Sequence, residues 1–78
     1  MEQKVRADRS LGRAIRRYRM ERGWTQEQAA AHLQLEGCNI TRGAYSKIEA
    51  GIQGVTVTQL AAITRAFRIS YNELFDDR

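Results

Sequence analysis

Arg42 and Lys47 lie in the segment Thr41-Arg42-Gly43-Ala44-Tyr45-Ser46-Lys47-Ile48-Glu49-Ala50-Gly51, which has the cap and apolar spacing of one short helix. Tyr45 and Ile48 share one face and are expected in the core. At about 100° per residue, Gly43, Ser46 and Lys47 then point outward, with Arg42 exposed near the helix start. An outward guanidinium suits a two-pronged contact with guanine, and an outward ammonium suits a base edge or a phosphate. The Ser46 hydroxyl fits either acceptor. Gly43 offers no side chain, but its missing Cβ admits a thymine methyl or a nucleic-acid backbone at close range. With Thr41 as the cap, these residues imply a helix built to read DNA bases.

Such a helix needs a partner to hold it against a groove. The preceding segment, Thr25-Gln26-Glu27-Gln28-Ala29-Ala30-Ala31-His32-Leu33, supplies one. Thr25-x-x-Gln28 is a capping box, and it predicts a helix over about 26–35 with Gly37 as its stop. Ala30 falls where the two helices face each other, and its small side chain lets their backbones approach. Gln26 opens the helix, where free backbone N–H groups and the positive helix end favour a phosphate. The two segments together predict a helix-turn-helix.

Composition agrees. Seventy-eight residues make one small domain, too short for a fold plus a deep substrate cleft. With 42% hydrophobic and 28% charged residues, the chain is composed like an ordinary soluble globular protein. No stretch approaches the roughly 20 apolar residues of a membrane span, and the N-terminus lacks the apolar core of a secretory signal. One cysteine cannot close an internal disulfide, which fits a reducing, cytoplasmic setting. The net charge of +4 is unevenly spread. Residues 1–24 carry eight Lys/Arg against three Asp/Glu, and residues 25–78 carry five against six. The excess basicity therefore sits in an N-terminal arm and the first helix, where it suits a polyanion.

Caps and periodicity predict an all-α fold of five helices. Ser10 caps a first helix over about 11–22, which buries Leu11, Ala14, Ile15 and Tyr18, presents Arg13, Arg16 and Arg17 outward, and stops at Gly23. Gly51 closes the third helix. Thr56-x-x-Gln59 opens a fourth over about 57–67, burying Val57, Leu60, Ile63 and Phe67. Ser70-x-x-Glu73 opens a short fifth ending in Leu74-Phe75. The expected organisation is a flexible basic arm over 1–9, a DNA-binding domain over 10–75 and a short tail over 76–78.

The ordered set Leu11-Gly12…Ile15-Arg16…Arg19…Gly23-Trp24-Thr25-Gln26…Ala30…Leu33…Ser46-Lys47-Ile48-Glu49-Ala50-Gly51…Leu60…Ala66-Phe67…Ile69-Ser70…Glu73-Leu74 resembles the Xre/Cro phage-repressor family over almost the whole chain. The resemblance implies a compact five-helix lambda-repressor-like domain in which helices two and three read DNA. It implies that Gln26 fixes the domain on the DNA backbone. It also implies a partly buried ion pair between Arg19 and Glu49, tying the first helix to the reading helix.

Two features depart from the family pattern. Glu36-Gly37-Cys38-Asn39-Ile40 extends the turn, which commonly spans about 3–4 residues. Ile52-Gln53-Gly54-Val55, after the third helix, lacks the lysines and arginines that many relatives direct at phosphates. The phosphate contacts are then expected from Lys4, Arg6 and Arg9 of the arm. Cys38 has no basic neighbour or second cysteine and reads as a passive small residue. His32 has no partner at metal-ligand spacing and reads as exposed. Trp24 reads as a lid on the core. No nucleophile–base set, phosphate loop or paired acid-base carboxylates stands out, so neither an enzyme nor a cofactor or metal site is expected.

The reading that follows is a sequence-specific regulator of transcription that binds double-stranded DNA as a homodimer. The exposed end around Tyr71, Leu74 and Phe75 is the expected self-contact. A restriction–modification controller, or an antitoxin or adaptor that binds a partner protein, are the alternatives.

Overall fold

The computed structural model describes residues 4–76, in the order β1 (Lys4–Val5), α1 (Arg9–Glu21), α2 (Gln26–Leu35), α3 (Arg42–Glu49), β2 (Val55–Thr56), α4 (Val57–Phe67) and α5 (Tyr71–Asp76). Residues 1–3 of the expected arm and 77–78 of the expected tail lie outside the described residues. The expected five helices are all present.

Their limits follow from side-chain capping. Thr25 accepts the Gln28 N–H at 3.1 Å while Gln28 Oε1 accepts the Thr25 N–H at 2.8 Å. Thr56 with Gln59 and Ser70 with Glu73 form the same reciprocal box. Thr41 Oγ1 accepts the Ala44 N–H at 3.0 Å and opens α3. The first helix differs from expectation. Asp8, not Ser10, is its cap, and its Oδ1 accepts from the Ser10 and Leu11 N–H groups at 2.7 and 3.2 Å. A carboxylate satisfies two orphan donors at once and complements the positive helix end, so the helix begins at Arg9.

The expected flexible arm also needs correction. Lys4 and Val5 pair antiparallel with Thr56 and Val55, so the chain entering α1 is anchored to the strand that enters α4.

The core gathers Leu11, Ala14 and Ile15 of α1, Ala29, Ala30 and Leu33 of α2, Tyr45 and Ile48 of α3, and Leu60, Ile63 and Phe67 of α4. Two expectations about its margin fail. Val57 is half exposed at 51%, because it is the first residue of α4 and turns away from the core. Leu74 is fully buried at 0%, because α5 lies against α1, where the Tyr18 hydroxyl donates to the Glu73 carbonyl at 3.3 Å. The apolar self-contact expected at the chain end therefore loses its central residue to the core, leaving Tyr71 exposed and Phe75 half-buried.

The extended turn is ordered by its own residues. Gly37, at φ 87°, takes the left-handed conformation that ends α2. Its N–H donates to the Gln34 carbonyl and the Cys38 N–H to the Leu33 carbonyl, both at 3.0 Å. The extra length then drives Cys38 and Ile40 into the core. From outside, the Arg65 guanidinium of α4 donates to the Glu36 carboxylate at 3.2 Å and to the Glu36 carbonyl at 3.0 Å. The turn between the two helices is thus a packed element, plugged from within and clasped from without.

Candidate nucleic-acid interface

α3 crosses α1 at very short range. A Cβ on Gly12 would stand 2.8 Å from the Ile48 carbonyl oxygen, so only glycine lets the two backbones meet there. This contact and the burial of Tyr45 and Ile48 fix which face of α3 looks outward.

That face matches expectation. Thr41, Arg42, Gly43 and Lys47 are exposed, and Ser46 is half-buried beside them. Among the described residues, Arg42 and Lys47 make no ion pair. Thr41 Oγ1 is already committed to the Ala44 N–H. Around Gly43, an added Cβ would meet nothing nearer than Thr41 Oγ1 at 3.9 Å, so the protein itself leaves that space open.

A buried ion pair holds this face in place. Glu49 receives two hydrogen bonds from Arg19, at 2.6 Å from Nε and 3.1 Å from Nη2. Arg19 Nη1 also donates to the Trp24 carbonyl at 2.7 Å, just ahead of α2. The two side chains are only 12% and 3% exposed. The hydrogen bonds to Glu49 raise the Arg19 guanidinium above its ordinary pKa against the opposing effect of burial. Tyr45, whose hydroxyl lies buried against this pair, has its phenol pushed far up by burial and then by the Glu49 carboxylate. It stays neutral and adds no second negative charge. Gln26 completes the assembly: its Nε2 donates to Glu49 Oε1 at 3.2 Å. One carboxylate therefore ties α1, the start of α2 and α3 together.

Arg16, Arg19, Gln26, Ser46, Glu49 and Ala50 line a depression of about 300 Å³ where these three helices meet. Helix phase alone puts Arg16 on an outward face of α1; only the crossing of α1 over α3 brings it beside Gln26 and Ser46. The arm residues are less concentrated. Arg6 is exposed, whereas Arg9 is the first residue of α1 and packs closely on Gly51, just past α3. Lys4 lies in β1, paired with Thr56.

One other residue sits differently from expectation. His32 is stacked flat on Trp24 with ring centroids 3.8 Å apart and is half-buried. Trp24 precedes α2 and His32 lies well inside it, so the stacking covers an imidazole that would otherwise face water. Trp24 leans on Phe67, centroid to centroid at 5.6 Å, and so does act as a lid. Cys38 is buried in the core, as a small apolar residue would be.

A helix-turn-helix domain family model matches residues 10–74, from the first turn of α1 into α5. The chain belongs to the helix-turn-helix domain family. Within it, the domain is of the Xre/Cro-like kind. It is 35% identical over 65 residues to the competence pilus inhibition repressor of Acinetobacter baylyi, a match covering 83% of this chain and 54% of that protein. The chain thus spans about half the length of the curated relative it matches. No solved structure matches it significantly. Among the described residues, no helix of this domain is long and apolar enough to cross a membrane. Family and relative together support DNA binding in the regulation of transcription.

Proposed function

We propose that this helix-turn-helix domain is a sequence-specific transcriptional regulator that places α3 in the major groove of double-stranded DNA, acting as a homodimer in the cytoplasm. The observation that carries the reading is the exposed face of Arg42, Gly43, Ser46 and Lys47, held rigid by the Arg19–Glu49–Gln26 assembly behind it. A solvated face would need no such support, whereas base contacts require side chains on a fixed helix. Arg42 is the candidate for two-pronged contact with guanine, and Lys47 for a base edge or phosphate further along the groove. A dimer would set its two α3 helices about 34–36 Å apart, one turn of the duplex. The repressor name of the relative favours repression as the direction of control.

Arg42→Ala tests the reading. It is expected to cost roughly 1–3 kcal/mol on a preferred duplex and to relax the choice of base at one position. Replacing Arg6 and Arg9 together should instead weaken all sequences alike and flatten the salt dependence. Titration of matched and mismatched duplexes across a salt series distinguishes the two patterns. A uniform loss for Arg42→Ala would make it a phosphate anchor, and no loss at all would remove α3 from the DNA.

A further inference from the structure

We propose that Gln34 of α2 and Arg65 of α4 are positioning residues for the Arg42 base contact, acting through the extended turn that carries the start of α3. The inference rests on the DNA-binding reading above and adds to it two residues outside the exposed face of α3.

The two ends of α3 are held by different means. The close approach of Gly12 falls on the Ile48 and Glu49 carbonyl oxygens, and Arg19 and Gln26 both bind the Glu49 carboxylate. These ties act on the last turn of the helix, while Tyr45 seats its middle in the core. None of them reaches Thr41, Arg42 and Gly43, which are exposed at its start. Yet the start of a recognition helix is the end that meets base edges.

That end hangs from the turn. Ile40, directly before the Thr41 cap, is 2% exposed. Gln34 Nε2 donates to the Ile40 carbonyl at 2.8 Å, so α2 grips the chain one residue ahead of the cap. At the far side of the turn, Arg65 holds both the carboxylate and the carbonyl of Glu36. Between these fastenings the Ile40 N–H donates to the carbonyl of the buried Cys38 at 3.0 Å. Released from Gln34 or Arg65, the first turn of α3 could shift while its last turn stayed in place.

A two-pronged guanidinium contact is sensitive to such a shift, because both hydrogen bonds must align at once. The fold is not. The Arg65 and Glu36 side chains are 53% and 36% exposed, and an ion pair so exposed contributes little to stability. Loss of a fastening therefore blurs the aim of Arg42 without unfolding the domain.

The test measures the ratio of binding to a preferred duplex and to one altered at the base that Arg42 reads, using the full chain over a salt series. Arg65→Ala and Gln34→Glu, the latter keeping its size but losing its donor, should each lower that ratio roughly 2- to 10-fold. Melting temperatures should stay near the wild-type value, and discrimination at bases further along the groove should persist. In an Arg42→Ala background neither change should lower the ratio further. Arg68→Gln, which removes a neighbouring exposed cation of α4's end, should leave it unchanged. Wild-type ratios in both variants, or an equal fall in Arg68→Gln, would overturn this inference alone. So would a uniform loss in Arg65→Ala with a shallower salt slope, which would make Arg65 a phosphate contact. If Arg42→Ala itself leaves the ratio unchanged, or the wild-type chain prefers no duplex, the base-reading role of α3 falls and the inference with it.

Discussion

Glu49→Ala is expected to lower the unfolding free energy by about 3–5 kcal/mol, the cost of leaving a buried charge unpaired. The Glu49 side chain is 3% exposed and accepts three hydrogen bonds, two from Arg19 and one from Gln26. Its removal strands a guanidinium that is itself only 12% exposed. Against the roughly 5–15 kcal/mol available to a folded domain, and with a small core, that loss is a large fraction of the whole. Urea denaturation of the variant and the wild type measures it. Replacing both partners, Arg19→Met with Glu49→Leu, should recover most of the stability, since two apolar side chains can fill the same space without stranding a charge. It should not recover DNA affinity, because Gln26 loses its anchor. A cost below about 1 kcal/mol for Glu49→Ala would mean that the pair behaves as a surface ion pair and does not organise the three helices.

Leu74→Ala should cost about 2–5 kcal/mol, the range for truncating a well-packed leucine. Leu74 is 0% exposed beneath α5, so Leu74→Asp should leave the chain largely unfolded under ordinary conditions. Loss of association in that variant would then report unfolding, not an interface. Tyr71→Asp is the informative change at this end of the domain, since Tyr71 is 47% exposed and its substitution should leave the melting temperature nearly unchanged. Thermal melts of the three variants check the set. A soluble, fully folded Leu74→Asp domain would show that α5 does not close the core.

The elements were legible because their signals are local. Three reciprocal capping boxes and the glycines after α1, α2 and α3 mark helix ends within a few residues, and the apolar spacing of Tyr45 and Ile48 fixes the outward face of α3. The Asp8 cap was hidden because Ser10 is an equally good capping residue two positions on, and only the backbone geometry chooses between them. The burial of Leu74 and exposure of Val57 depend on where α5 and α4 settle, which periodicity within one helix cannot set.

The same division runs through the candidate interface. Gln26, Arg42, Ser46 and Lys47 follow from helix starts and helix phase. Arg16 does not, because its place depends on how α1 crosses α3, and Gly12, the residue that permits the crossing, carries no chemistry of its own. The extended turn likewise shows in the sequence only as added length. Its function as a packed plug emerges only when Cys38 and Ile40 are seen in the core and Arg65 is seen holding Glu36.

The measurement that bears most directly on the central claim is selection of bound duplexes from a random-sequence DNA pool by the intact chain. A base-reading α3 carried on a two-fold dimer predicts enrichment of a palindromic consensus with half-sites one helical turn apart, roughly 34–36 Å. A pool that stays random after repeated selection, with binding that follows only salt and duplex length, would contradict the claim that this face of α3 reads sequence.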